Sequence, residues 1–319
     1  MNNTGSHQPW PLPAPLAIIQ APMGPVVSPE LCAAVANAGG VGMLSATWLN
    51  EALMTRSVER VRALTSGAIG ANFVLDFDIA ARLEQALELQ IPIISTFWGD
   101  PEQTARRISD TPAIHLHTVG SLDEARRAVD VGVDVLVVQG FEAGGHVYGT
   151  TLLAELLTQV VTAVDVPVVA AGGIATVEDV RRAVDAGACG VWVGTRFVAA
   201  TESRAHPDFK QAIIDAGPLD AVWTADCFDG AWPNAAHRVL RNQTLDQYLD
   251  TGVRQGRDPI AATPRGAPIA RYDERPPLAG MTGAVNQMAL YAGTGVGRID
   301  RVMDAAEIVR DLARGLPPV

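Results

Sequence analysis

Eight short apolar runs recur between residues 16 and 195, each followed by a loop and usually by a helical pattern. That alternation predicts a (β/α)8 barrel, the TIM-barrel architecture. Two further observations support it. Several of the runs, "VPVVAAGG" and "VDVLVVQG" among them, are continuously apolar rather than alternating, as parallel strands covered on both faces must be. The chain also echoes itself. "SLDEARRAVDVGVDVLVVQG" (121–140) and "TVEDVRRAVDAGACGVWVGT" (176–195) align in register, sharing "RRAVD" and the glycine two residues on. An open, doubly wound sheet could show a similar echo and stays as the alternative architecture.

The strands are expected, in order, in "LAIIQAP", "GVGMLSA", "AIGANFV", "IPIISTF", "AIHLHTV", "VDVLVVQG", "VPVVAAGG" and "CGVWVGT". The echo copies fall at the sixth and eighth repeats. Each opens on a capping signal, Ser121 with Glu124 and Thr176 with Asp179, and ends its helix at glycine, Gly132 and Gly187. Residues 1–15, polar and then proline-rich, read as a flexible arm without the basic and apolar regions of a secretory signal. The barrel is expected over 16–202 and 284–319. Between them, 203–283 loses the βα alternation and gains proline, which predicts a smaller, mostly helical and irregular inserted subdomain after strand eight.

Composition narrows the function. A net charge of −11 argues against nucleic-acid or anionic-membrane surfaces, and no apolar run reaches the length of a membrane span. Three scattered cysteines, Cys32, Cys189 and Cys227, lack the spacing of a zinc site or a disulfide framework, so a cytoplasmic, reducing location is expected.

In such a barrel the chemistry belongs on loops at the C-terminal ends of the strands. After strand six, "QGFEAGGHVYGTT" (139–151) presents Gln139, Glu142, Gly144, Gly145 and His146. The glycines let backbone approach a flat ligand, and the imidazole can exchange a proton near neutral pH. Glu142 is expected to hold the loop rather than react. After strands seven and eight, Gly172, Gly173, Gly194 and Thr195 form glycine-rich turns of the kind that hold a phosphate. Ala21, Pro22 and Met23 after strand one and Asn72 on strand three could line an aromatic cofactor.

"QAPMGP", "GANF", "QGFEAGGH", "AAGGI" and "VGTRF", in this order, resemble the nitronate monooxygenase family. "RVLRN" and "YAGTGVG" resemble its later segments. The resemblance implies non-covalent FMN and oxidation of alkyl nitronates, extending to nitroalkanes, by O2 to carbonyl compounds and nitrite. His146 would be the active-site histidine. Ala21, Pro22, Met23, Asn72, Thr118, Gln139, Gly144, Gly145, Gly172, Gly173, Gly194 and Thr195 would contact the cofactor. Where some relatives carry lysine after strand five, this chain reads "HLHTVGS", so His117 or Thr118 takes that place.

Other readings stay open on the sequence. An NAD(P)H-dependent flavin reductase of enoyl thioesters or quinones would share these motifs. A flavin-free sugar-phosphate barrel would need a rim lysine or paired carboxylates, and a non-catalytic flavin carrier would turn over no donor. His146 could be a structural loop histidine and Met23 plain core. His115 and His117 share a strand face but have no third metal ligand in view, so no metal is expected. Trp98 and Tyr148 could shape a pocket or simply pack. "DCFDGAW" could form a lid or a contact between copies, which leaves a homodimer open.

Overall fold

The computed structural model describes residues 9–228, 230, 232–256 and 258–318. Eight parallel strands form the barrel: β1 (Ile18–Gln20), β2 (Gly42–Ser45), β3 (Ile69–Val74), β4 (Ile93–Phe97), β5 (Ile114–Val119), β6 (Val135–Gln139), β8 (Val168–Ala171) and β9 (Gly190–Val193). β7 (Gly145–His146) is a two-residue strand on the loop that leaves β6. The sheet runs β1-β9-β8-β6-β5-β4-β3-β2, and a parallel bridge between Ile19 and Val41 ties the two end strands together. The helices between the strands are α1 (Pro29–Asn37), α2 (Glu51–Leu64), α3 (Ala80–Glu88), α4 (Glu102–Ser109), α5 (Leu122–Asp130), α6 (Leu153–Ala163) and α7 (Val177–Asp185). A single-turn α8 (Thr195–Val198) follows β9.

Strand alternation sorts the side chains into two cores. Ile19, Met43, Ile93, Leu116, Val137, Val169 and Trp192 fill the barrel interior. Ile18, Leu136, Val138, Ala170 and Val191 pack outward against the helices. The internal echo reports real structure. Thr176 and Asp179 make a full capping box on α7, whereas on α5 Ser121 accepts from the Glu124 N–H and the Glu124 carboxylate turns to the Gly120 N–H instead. Gly132 and Gly187, at φ +89° and +100°, end the two helices as expected.

Two expectations change. Of the arm, residues 1–8 lie outside the described residues, but the part that follows is packed. Leu12 and Ala14 are buried with the barrel interior, and Trp10 donates to the Ala14 carbonyl. Its apolar residues stopper the N-terminal end of the barrel. Segment 203–283 is not mostly helical. Beside α9 (Pro207–Asp215) and α10 (Gln243–Thr251) it carries β10 (Ala221–Thr224), β11 (His237–Leu240), β12 (Pro259–Ala262), β13 (Pro268–Ala270) and β14 (Thr282–Gly283). These strands are too short to display a period, and their order comes from pairing with distant partners. β11 pairs antiparallel with both β10 and β7. β12 pairs with β13 and β14. The chain then re-enters the barrel wall through α11 (Ala305–Ala313).

Candidate active site

A cavity of about 590 Å3 opens at the C-terminal end of the barrel. Its lining includes every cofactor-contact residue expected from the sequence, Ala21, Pro22, Met23, Asn72, Thr118, Gln139, Gly144, Gly145, Gly172, Gly173, Gly194 and Thr195, together with His146. Strand parity explains part of this. Leu116 points into the barrel, so Thr118 two residues later does too, at the cavity wall. His117 has the opposite parity. With His115 it faces the helical layer, where both rings bond the Thr96 hydroxyl at 2.8 Å. Of the two candidates after strand five, Thr118 is the one at the cavity. Among the described residues no group of three or more His, Cys, Asp or Glu is arranged to hold a metal.

The loop after β6 is held from four sides. Arg238 on β11, buried, donates to the carbonyls of Phe141 (2.7 Å), Ala143 (3.2 Å) and Ala221 (3.0 Å), and its guanidinium stands 4.6 Å from the Phe141 ring centroid. Glu142 accepts the Leu153 N–H at the start of α6, 2.8 Å away, which is the structural role expected of it. At Gly144 any Cβ would lie 2.2 Å from the Gly293 nitrogen, so only glycine lets the 291–297 segment pass. Finally, β7 pairs with β11, setting His146 opposite His237.

That pairing defines the imidazole. His146 Nδ1 lies 3.3 Å from the Ala235 carbonyl, to which only a protonated Nδ1 can donate, leaving Nε2 as the ring's proton acceptor. Burial pushes the His146 pKa down to about 3, with the neighbouring His237 adding to the shift, so the ring is neutral at physiological pH. His237 is itself wholly buried. Its Nδ1 donates to the same Ala235 carbonyl at 2.9 Å, and its Nε2 accepts the Phe228 N–H at 3.3 Å. Around His146 stand Trp232, Tyr291 and Trp98, with ring centroids 4.2, 5.7 and 6.2 Å away. Trp98 adopts φ +62°, strained backbone for a non-glycine at a site.

Another part of the cavity wall is glycine-rich. Gly172 and Gly173 have φ of +106° and +69°, a left-handed turn closed to other residues without strain. Arg298 fixes this turn from behind, bonding the Gly173 carbonyl and, at 3.1 Å, the Asp179 carboxylate, which itself caps Ala175 and Thr176. Thr195 accepts the Gly293 N–H at 3.0 Å, which joins the β9 loop to the 291–297 segment. Elsewhere on the wall, Asn72 and Gln139 supply amide groups. Asn72 spends its nitrogen on Ser95, while Gln139 bonds the His146 carbonyl at 3.1 Å.

These residues suit a flavin mononucleotide: a small-residue turn for one phosphate, amides for the polar ring edge, and glycine and methionine surfaces for the ring faces. Lysine chemistry has no place here. Lys210, the chain's one lysine, donates to the carbonyls of Ala200, Thr201 and Ser203. Sequence reasoning missed Arg238, His237, Trp232 and Tyr291 as parts of the site. The signals were the aromatic and basic content of "DCFDGAWPNAAHRVLRN", of which Asp229 and Ala231 lie outside the described residues, and, for Tyr291, the segment "YAGTGVG".

A family model described as nitronate monooxygenase matches residues 13–84 and 76–315. A Mycobacterium tuberculosis (3aS,4S,5R,7aS)-5-hydroxy-7a-methyl-1-oxo-octahydro-1H-indene-4-carboxyl-CoA dehydrogenase is 31% identical over 74% of this chain, and the match spans 66% of its own length, just under two thirds. A probable nitronate monooxygenase of Bacillus subtilis is 30% identical over 65% of this chain and 72% of its own. Among solved structures, FabK from Thermotoga maritima superposes with TM-score 0.83 at 26% identity, covering 95% of this chain and 93% of FabK. Nitroalkane oxidase from Streptomyces ansochromogenes gives TM-score 0.76 at 30% identity, covering 94% and 95%.

Proposed function

The chain belongs to the nitronate monooxygenase family, a family of flavin-dependent oxidoreductases, and we propose that it binds FMN and oxidises alkyl nitronates and nitroalkanes with O2 to carbonyl compounds and nitrite. What supports this reading is one arrangement: a neutral histidine with its Nε2 available, on the wall of a cavity that also holds a glycine turn of phosphate-binding type. Gly172, Gly173, Gly194 and Thr195 would hold the phosphate, and Asn72, Thr118 and Gln139 the ring edge. FMN, when bound, takes the electrons removed from the substrate and delivers them to O2.

The protein's own contribution is a proton and a dry pocket. Because Nδ1 is committed to Ala235, Nε2 of His146 is the atom that would remove the α-proton of a nitroalkane, making the nitronate in place. Trp232 and Tyr291 exclude water from the imidazole. Burial that keeps the resting His146 neutral also means that a nitronate bound ready-made meets amide and hydroxyl dipoles, whereas one made in place would lie beside the imidazolium that its own α-proton creates. Three free cysteines are in keeping with a cytoplasmic location. His146→Ala tests the assignment: the variant should retain FMN and lose turnover of nitroalkanes. A variant with full activity would remove His146 from the chemistry.

A second reading has a specific observation behind it. The dehydrogenase relative is named for a CoA thioester, and the cavity lining includes Arg204, suited to a phosphate-bearing tail, beside Arg275, whose guanidinium is paired with Asp273. Flavin reduction by a CoA thioester or by NAD(P)H, with nitronates inert, would favour this thioester branch.

A further inference from the structure

One wall of the cavity has no part in this scheme beyond the contact of Trp232 with His146. Thr47 accepts the Val74 N–H at 3.0 Å, and Ala46 donates to the Asn72 carbonyl at 3.0 Å, so the loop after β2 is stitched to the end of β3. The stitch sets Trp48 against Phe77, edge to face at 5.4 Å. Phe77 in turn meets Trp232 at 5.4 Å, and Trp232 meets His146 at 4.2 Å. Trp232 is pinned there by its indole N–H, which donates to Asp76 at 3.0 Å. Three rings therefore run unbroken from the imidazole to the mouth, and Leu49, Val74 and Phe97 line the cavity beside them.

The outermost ring, Trp48, is 53% exposed although it lines the cavity. A large aromatic face left in water at the end of a preformed apolar wall is surface that a ligand can cover. Its charge says which ligand. No charged side chain among the lining residues comes from the loops after β2, β3 and β4; Arg204, Glu274 and Arg275 come from segment 203–283. Asp76, which holds the Trp232 indole, would repel an anionic tail.

We propose that Trp48, Phe77 and Trp232 form a subsite for the substrate's organic group, and that this group is uncharged, apolar and larger than two carbons. The proposal rests on His146 being the reacting end of the cavity, which orients the substrate with its α-carbon at the imidazole and its chain toward Trp48.

The test is a homologous series of nitronates, from nitroethane through 1-nitrobutane to 1-nitrohexane, measured by kcat/KM on the FMN-loaded enzyme. In parallel, the matched unreactive carboxylates, propionate to heptanoate, are titrated by quenching of tryptophan fluorescence. Both series should tighten with chain length, by up to about four-fold per methylene. In Trp48→Ala and Phe77→Ala the gain should flatten, so that the ratio of hexyl to ethyl falls toward one. Trp48 is half in water, so its replacement threatens the fold little. A wild-type series flat in both nitronates and carboxylates overturns the subsite, as does a gain that survives both substitutions. Carboxylates that tighten with length while no nitronate is turned over would uphold the subsite and refute the nitronate chemistry instead.

Discussion

Lowering the pH from 7.5 to 5 should cost this protein about 4 kcal/mol of stability through two histidines that take no part in the site. His115 and His117 are 1% and 3% exposed, and burial pushes their pKa values down to about 3 and about 4. They share one hydroxyl, Thr96, which can donate to only one of them, and His115 Nδ1 has no hydrogen-bond partner. Neither ring has a carboxylate bonded to it to welcome a proton. In the unfolded chain each titrates near 6.5. Both folded values lie below the unfolded one, so the stabilisation is complete above pH 6.5 and is lost as the pH falls, because the unfolded chain then binds protons that the folded chain cannot. At pH 5, 1.5 units below the unfolded value, linkage gives about 2 kcal/mol per histidine. That is a large fraction of the roughly 5–15 kcal/mol that holds a domain together. Urea midpoints at pH 7.5, 6.5 and 5 measure the effect, and His115→Gln with His117→Gln should remove about 4 kcal/mol of it, leaving the slope contributed by His146 and His237, whose pKa values burial also lowers. Stability that stays constant from pH 7.5 to 5 would refute the reasoning.

Arg238→Met should destabilise the protein by about 3 kcal/mol in urea unfolding and weaken FMN binding, because three buried carbonyls lose their donor while the methionine recovers part of the loss by packing. Gly144→Ala should cost about 1–3 kcal/mol, since the added methyl falls on the Gly293 nitrogen, and flavin retention after gel filtration should fall with it. His237→Phe should lower kcat on nitroalkanes while leaving preformed nitronates less affected, since the ring fixes the Ala235 carbonyl that sets the His146 tautomer; the ratio of the two rates reads this directly.

The barrel was legible because its signals are local and repeated. Eight apolar runs became eight barrel strands, and the 121–140 and 176–195 copies fold alike down to Gly132 and Gly187. The residues on the barrel's own loops were legible too, since Gly144, Gly172 and Gly173 each announce backbone that only glycine can take. The rest of the site was hidden because it is assembled from far away. β11 is four residues long, and its meaning lies in pairing with β7 across ninety positions of sequence. Arg238 looks like any surface arginine until the Phe141 and Ala143 carbonyls surround it. His117 and Thr118 are neighbours in sequence, and only the strand's parity separates the helical layer from the cavity. Trp10 and Leu12 sit in a proline-rich stretch whose composition masked their packing.

The measurement that bears most directly on the central claim is an absorbance spectrum of the purified protein, followed by anaerobic titration with ethyl nitronate and, separately, with NADH. Flavin bands, extractable as FMN, should bleach on addition of nitronate and be unmoved by NADH. A protein that shows no flavin even after incubation with FMN, or whose flavin bleaches with NADH alone, would contradict the claim.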